Sequence, residues 1–327
     1  MSLLTIIQFG VKIVFLALLI IFLLFFTLSF PLGAYVAFTL FGSESPQTLQ
    51  TLPFFIFGLA ATIKVRVDAL TLLFYLIALY LFFVYVAAKE PLGNLLQTLR
   101  SVYEKGITFV QTNTLATVCT VFAPLLFVNV MLEYLQGIFG VSTGSLPRGE
   151  PLIDFVLLTY APLSEEFGFR LTLIGFVASL PSLYYGNFKS VLYSLWRPST
   201  YFSFSSRNLR AKFVLYSLIV FSAFMFGSAH VIYGGGWEFG KIMPAFVAGL
   251  CLGWLYVRWG FHAAVLLHLL FNYFAGSFDY FAELIASSFI VDLVSFIVYL
   301  LGVVVLMWLA LKVLSTRLIG DKEGLNW

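Results

Sequence analysis

The chain reads as an all-α polytopic membrane protein, about eight transmembrane helices enclosing an intramembrane polar cavity, and three observations predict this. Hydrophobic residues make up 61% of its 327 positions and charged residues only 10%, whereas a soluble domain is about a quarter charged. Mean hydropathy is +1.01, and several apolar runs reach the ~20 residues a helix needs to cross the hydrocarbon core. The runs are continuous rather than alternating. A spanning segment must satisfy its own backbone polar groups, so helices follow rather than a barrel.

Taken in order, the first span is expected over 8–30, ending before Pro31. It is too long for a signal-peptide core and has no small-residue cleavage site, so it is read as a retained helix. The apolar piece 52–63 is too short to span, and a second helix follows over 68–88. Residues 89–113 are mixed, with Leu92, Leu95, Leu96 and Leu99 near helical spacing, which suits an interfacial helix or a plain solvated connector. A third span covers 114–138, and a fourth, 152–180, contains Pro162, where a break is expected. The segment 181–212 carries Lys189, Arg197, Arg207, Arg210 and Lys212 without an acid. The remaining spans are expected over 213–232, 242–257, 261–278 and 285–311. Residues 1–140 then form an N-terminal unit of three helices, 141–312 a core bearing the polar motifs, and 313–327 a polar tail.

With eight spans both termini share a side. Lys89, Arg100, Lys105, the basic 181–212 loop, Arg258, Lys312, Arg317 and Lys322 fall there, against Lys64, Arg66, Arg148 and Lys241 opposite. The positive-inside rule places both termini in the cytoplasm. The net charge of +3 and the lack of a basic–aromatic pattern exclude nucleic acid as a partner; the partner is the bilayer itself. Cys119 and Cys251 are isolated and suggest neither a disulfide framework nor a thiolate metal site.

Few polar residues lie inside the apolar runs. Ionisable groups there are costly and persist when paired, wet or functional. Glu165 and Glu166 are adjacent, so on a helix they point about 100° apart. Arg170, four residues after Glu166, is at ion-pair spacing and neutralises it, leaving Glu165 to face a cavity. A purely structural clamp would need one glutamate only. Phe226 and His230 share a helix face, as do His268 and Asn272. For His230 alone, a hydrogen bond to a backbone carbonyl is the bland account. His262 lies off the His268 face and is expected at the interface near Arg258 and Trp259.

Glu165, His230, His268 and Asn272 are the set best able to converge. A glutamate and a histidine reaching one water form a general-base pair, and a second histidine with an asparagine can donate to a developing oxyanion. That division of labour describes hydrolysis of a peptide bond by activated water. No serine stands in a nucleophile-elbow context.

The order Glu165-Glu166-Phe167-Gly168-Phe169-Arg170, Phe226-Gly227-Ser228-Ala229-His230, His268-Leu269-Leu270-Phe271-Asn272 resembles the type II CAAX prenyl endopeptidases, also called the ABI or CAAX protease and bacteriocin-processing family. The resemblance covers 152–275. It implies an intramembrane glutamate-type endopeptidase in which Glu165 and His230 activate water and His268 and Asn272 stabilise the oxyanion. Glu166, Arg170 and Phe226 support them. It also implies a prenylated or other membrane-associated substrate, and removal of the last three residues where that substrate is prenylated. No cofactor is expected. Two features depart from the family pattern: Leu171 stands where a glycine usually follows the arginine, and the first two motifs are widely separated.

Two other readings keep the same residues. Glu and His are acceptable Zn²⁺ ligands, which would make a zinc-dependent membrane metalloprotease, although HExxH is absent. A proton-coupled carrier or scaffold could relay protons through Glu165 and the histidines, although no internal repeat is found. Orientation adds a tension: His230, Glu165 and Asn272 cluster toward the side opposite both termini, while a site acting on cytosolic prenylated proteins should open inward.

Overall fold

The structure is a computed structural model that describes residues 3–41, 47–89, 92–146, 149–184, 188–200 and 209–319. Among these, eight helical segments are long and apolar enough to cross a membrane: Ile6–Leu40, Ala69–Lys89, Thr114–Ile138, Pro151–Tyr184, Lys212–Tyr233, Phe239–Trp259, Phe261–Leu284 and Phe289–Leu314. The chain is a multi-pass membrane protein. Its outward faces carry exposed Leu24, Tyr75, Phe82, Phe213 and Phe296, which only a lipid environment tolerates in such number.

The seventh span is the hub. Helix α10 (Phe261–Leu269), a π-helical segment (Leu270–Phe274) and α11 (Ala275–Leu284) follow one another without interruption. Every residue from Phe261 to Leu270 is buried, as expected of a helix that is apolar all round and enclosed by others. Around it stand α1 (Leu3–Phe41), α2 (Ala69–Lys89), α4 (Thr114–Ile138), α5 (Pro151–Glu166) and α9 (Ile242–Trp259). Small residues set the closest approaches. A methyl at Gly249 would meet Ala223 Cα of α8 (Leu209–Tyr233) at 2.9 Å. One at Gly302 of α12 (Phe289–Ile319) would meet the Ala123 carbonyl oxygen at 2.6 Å. Without a hydrophobic drive between helices in lipid, such close packing holds the bundle.

Four expectations change. Helix α1 runs through Pro31 to Phe41 instead of ending before it. The flanking carbonyls take side-chain donors, Ser29 Oγ donating to Phe26 O and Tyr273 Oη to Phe30 O at 3.1 Å, and proline is tolerated inside membrane helices. The fourth span does not break at Pro162. α5 continues to Glu166, then a π-helical segment Phe167–Gly175 leads into α6 (Phe176–Tyr184). His262 is fully buried and stacked on Trp196 of α7 (Phe188–Trp196), ring centroids 5.4 Å apart, because the basic connection folds back over this end of α10. Helix α12 extends to Ile319, so the polar tail of 313–327 begins as helix, and its residues 320–327, like Arg148 and Arg207, lie outside the described residues.

The mixed segment forms α3 (Leu95–Lys105), started by an Asn94–Gln97 capping box, with Leu92 and Leu96 exposed. The apolar piece 52–63 is the surprise. It lies within an antiparallel hairpin, β1 (Thr48–Ile56) and β2 (Leu59–Asp68). The two-residue turn has φ +50° at Phe57 and +76° at Gly58, the left-handed pair that matches strand twist. Phe57 is a poor residue for that region. It is held there by its N–H to Thr172 Oγ1 (2.8 Å) and by its ring against Phe176.

Candidate active site

Glu166 and Arg170 are both wholly buried, and Arg170 Nε lies 3.1 Å from Glu166 Oε2. The guanidinium is further held by Ser222 Oγ, which accepts from Nη1 at 3.2 Å and donates to Phe169 O. It also lies over the Phe226 ring at 4.6 Å. Removing either member of such a pair leaves an uncompensated buried charge. The expectation that Glu166 is committed to Arg170 therefore has a geometric counterpart, but Glu166 has a second partner. His268 Nδ1 donates to Glu166 Oε1 at 2.9 Å, which fixes the imidazole and leaves Nε2 facing elsewhere.

What Nε2 faces is Glu165. Its Oε2 lies 3.9 Å away, and its side chain keeps 19% exposure where Glu166 has none. That separation exceeds a direct hydrogen bond and is the range in which a water bridges two polar groups. His230 stands one ring away: Phe226 packs edge-on to His230 (centroids 4.7 Å) and to His268 (5.7 Å). His230 Nδ1 donates to Phe226 O at 2.8 Å. This is the bland contact foreseen for a lone membrane histidine, yet it has a chemical consequence. With Nδ1 carrying the proton, neutral His230 presents Nε2 as an acceptor.

Asn272 Nδ2 donates to Leu158 O at 3.2 Å. The reason lies four residues on. Pro162 has no N–H, so the Leu158 carbonyl lacks its helical partner, and Asn272 supplies one from the neighbouring helix. One amide hydrogen is thus used in joining two of the three motif-bearing spans, and the amide nitrogen carries a second.

Two of the three motif helices contain π segments, at Phe167–Gly175 and Leu270–Phe274, which hold Arg170 and Asn272, a feature frequent at functional sites. The hairpin is seated on the first of them. Ser164 Oγ donates to Pro53 O (3.1 Å), Gly58 N donates to Gly168 O (3.2 Å), and Phe55 packs on Phe169 and on Tyr233 of α8. A side chain at Gly168 would collide with Phe55. Sequence reasoning missed this wall of the site. The signal was the alternation of Thr51, Pro53 and Phe55 opposite Ala60, Thr62 and Lys64 around Phe57-Gly58.

Among the described residues no group of three His, Cys, Asp or Glu side chains is arranged to hold a metal ion. Comparison with curated proteins and with solved structures gives no match. The family model described as Type II CAAX prenyl endopeptidase Rce1-like matches residues 147–274, which include all three motifs. Over that stretch the chain is similar to the Rce1-like type II CAAX prenyl endopeptidases.

Proposed function

We propose that the protein is an intramembrane endopeptidase that hydrolyses a peptide bond with water activated by Glu165 and His230. The carrying observation is the asymmetry of the acidic pair: Glu166 is locked between Arg170 and His268, whereas Glu165 is partly open and stands 3.9 Å from His268 Nε2. Glu165 takes a proton from water as the oxygen attacks the scissile carbonyl carbon, and His230 Nε2 offers a second acceptor to the same water. The oxyanion receives hydrogen bonds from His268 Nε2–H, when that nitrogen is protonated, and from the second amide hydrogen of Asn272. When the C–N bond breaks, the proton held by Glu165 passes to the departing nitrogen, giving a carboxylic acid and an amine and returning Glu165 to its carboxylate form. Positioned acid–base groups of this kind contribute about 10²–10⁴-fold each.

The substrate proposed is a prenylated protein or peptide that loses its C-terminal three residues. The basic loops further propose both termini in the cytoplasm. His230 lies in the last turn of α8, toward the opposite end of the bundle, so in this orientation the site is nearer the non-cytoplasmic face. Protease protection of terminal tags in sealed vesicles tests the side. The chemistry is tested by cleavage of a farnesylated C-terminal peptide by the wild type and by Glu165→Ala. Cleavage that survives in Glu165→Ala refutes the mechanism. Stoichiometric zinc with activity lost on chelation would transfer the same residues to a metalloprotease, and Glu165-dependent uptake without proteolysis would make a carrier of it.

A further inference from the structure

A second site lies at the other end of the bundle from His230, unconnected with the motifs. A cavity of about 490 Å³ opens between the first turns of α1, the end of α3 and α12. Two ammonium groups border it. Lys12 Nζ donates to Tyr103 O at 2.6 Å and lies against the rings of Phe9 and Tyr103, and Lys105 Nζ lies over Phe109 at 5.4 Å. Two further lining residues carry donors that the protein leaves without an acceptor: Gln8 Nε2 and Trp308 Nε1 are buried and unpaired, Trp308 being only 6% exposed. Glu104 is the one acid lining it among the described residues, and it is bound to Arg100 at 2.7 Å. That hydrogen bond holds its carboxyl below the ordinary carboxylate range. The cavity therefore gathers N–H donors, with its acid already neutralised and apolar side chains between them.

We propose that this cavity binds the phosphate headgroup of an anionic phospholipid, with the acyl chains running down the apolar surface of α1 and α12. A phosphodiester offers only acceptors, which is what unpaired N–H groups require. The volume suits a headgroup, since small-molecule sites run from about 300 to 1,000 Å³. The placement suits a lipid rather than a solute: the lining comes from the ends of two spans and the amphipathic α3, at the level where tryptophan and lysine anchor to the membrane surface. Basic pockets between spans are a known route to anionic headgroups.

Native mass spectrometry of the purified full chain in detergent tests this, with phosphatidylglycerol, phosphatidylcholine of the same chains, and inorganic phosphate added separately. Phosphatidylglycerol is expected to be retained at least tenfold over phosphatidylcholine. Each lysine near an anionic headgroup contributes about fivefold, so Lys12→Met with Lys105→Met should lose roughly 25-fold. Trp308→Phe keeps the ring, removes the N–H, and should lose about fivefold; it carries the test if the double variant does not fold. Glu165→Ala should bind the lipid as the wild type does, which separates this site from the catalytic reading. Equal retention of both lipids, or no loss in any variant, overturns the proposal. Inorganic phosphate displacing phosphatidylglycerol at equal concentration would overturn it too, by making the cavity a simple anion site.

Discussion

The two spans that carry the acidic and histidine–asparagine motifs contrast with those that surround them. Pro151–Tyr184 and Phe261–Leu284 each contain a π segment, whereas α2, α4, α8 and α12 are regular along their described lengths. In the regular helices the interior backbone groups are satisfied within the helix, apart from the carbonyl that Pro124 leaves without a partner in α4. In the distorted pair, donors from outside the backbone ladder take up carbonyls: Gly58 N and the Thr172 hydroxyl meet at Gly168 O, and Asn272 takes the Leu158 O freed by Pro162. Arg170 and Asn272 lie inside the π segments, whereas Glu165, Glu166 and His268 stand in the regular turns just before them. His230 stands in a helix that is regular throughout, and its hydrogen bond goes to that helix at Phe226 O.

The sharpest way to break this contrast is at the acidic pair. Glu165→Gln is expected to lower cleavage by about 10³-fold or more while leaving the melting temperature nearly unchanged, because Glu165 makes no close ion pair. Comparable unfolding of Glu165→Gln and Glu166→Gln would show that the two carboxylates have the same job. Arg170→Ala should instead destabilise by about 3–5 kcal/mol, the cost of leaving a buried charge unpaired. Chemical unfolding in detergent reads this directly, and an Arg170→Ala protein as stable as the wild type would contradict the buried pair.

A double-variant cycle addresses the proline–asparagine link. Asn272→Ala should cost about 1–3 kcal/mol by stranding the Leu158 carbonyl. In a Pro162→Ala background the restored N–H can reach that carbonyl, so the cost of Asn272→Ala should largely vanish. If stability returns but cleavage does not, Asn272 acts on the oxyanion as proposed; if both return, its role is structural. The smallest effect concerns the hairpin. Phe57→Asn relieves a left-handed conformation that bulky residues avoid but forfeits the Phe176 contact, and the net change should stay within about 1 kcal/mol. A larger loss would mean that the ring, rather than the turn, seats the hairpin on the π segment.

Much of the site was legible in the order of residues. The 3.6-residue period separated Glu165 from Glu166, and the four-residue spacing gave Arg170 its partner. Phe226 was legible as His230's companion for the same reason. What spacing could not supply was the partner across the bundle. His268 Nδ1 binds Glu166, an interaction between residues 102 positions apart, and no local rule pairs them. The hairpin escaped for a different reason: in so apolar a chain, a short apolar stretch resembles the end of a helix, and its alternation is masked when both faces meet protein or lipid. The extension of α1 through Pro31 escaped because a proline, which ends most helices in water, is tolerated inside a membrane helix.

By itself, then, the sequence determined the class of molecule, its eight apolar spans and which polar residues would be unusual at membrane depth. All three follow from burial energies and helical periodicity, which are local properties of the chain. Only the tertiary structure decided which of those residues touch: that Glu166 is spent on Arg170 and His268, that Glu165 is left partly open, and that Asn272 repairs the carbonyl freed by Pro162. Those outcomes depend on how separate helices pack side by side. Packing is a contest among many contacts of similar energy, and neighbouring residues in the chain carry no record of its result.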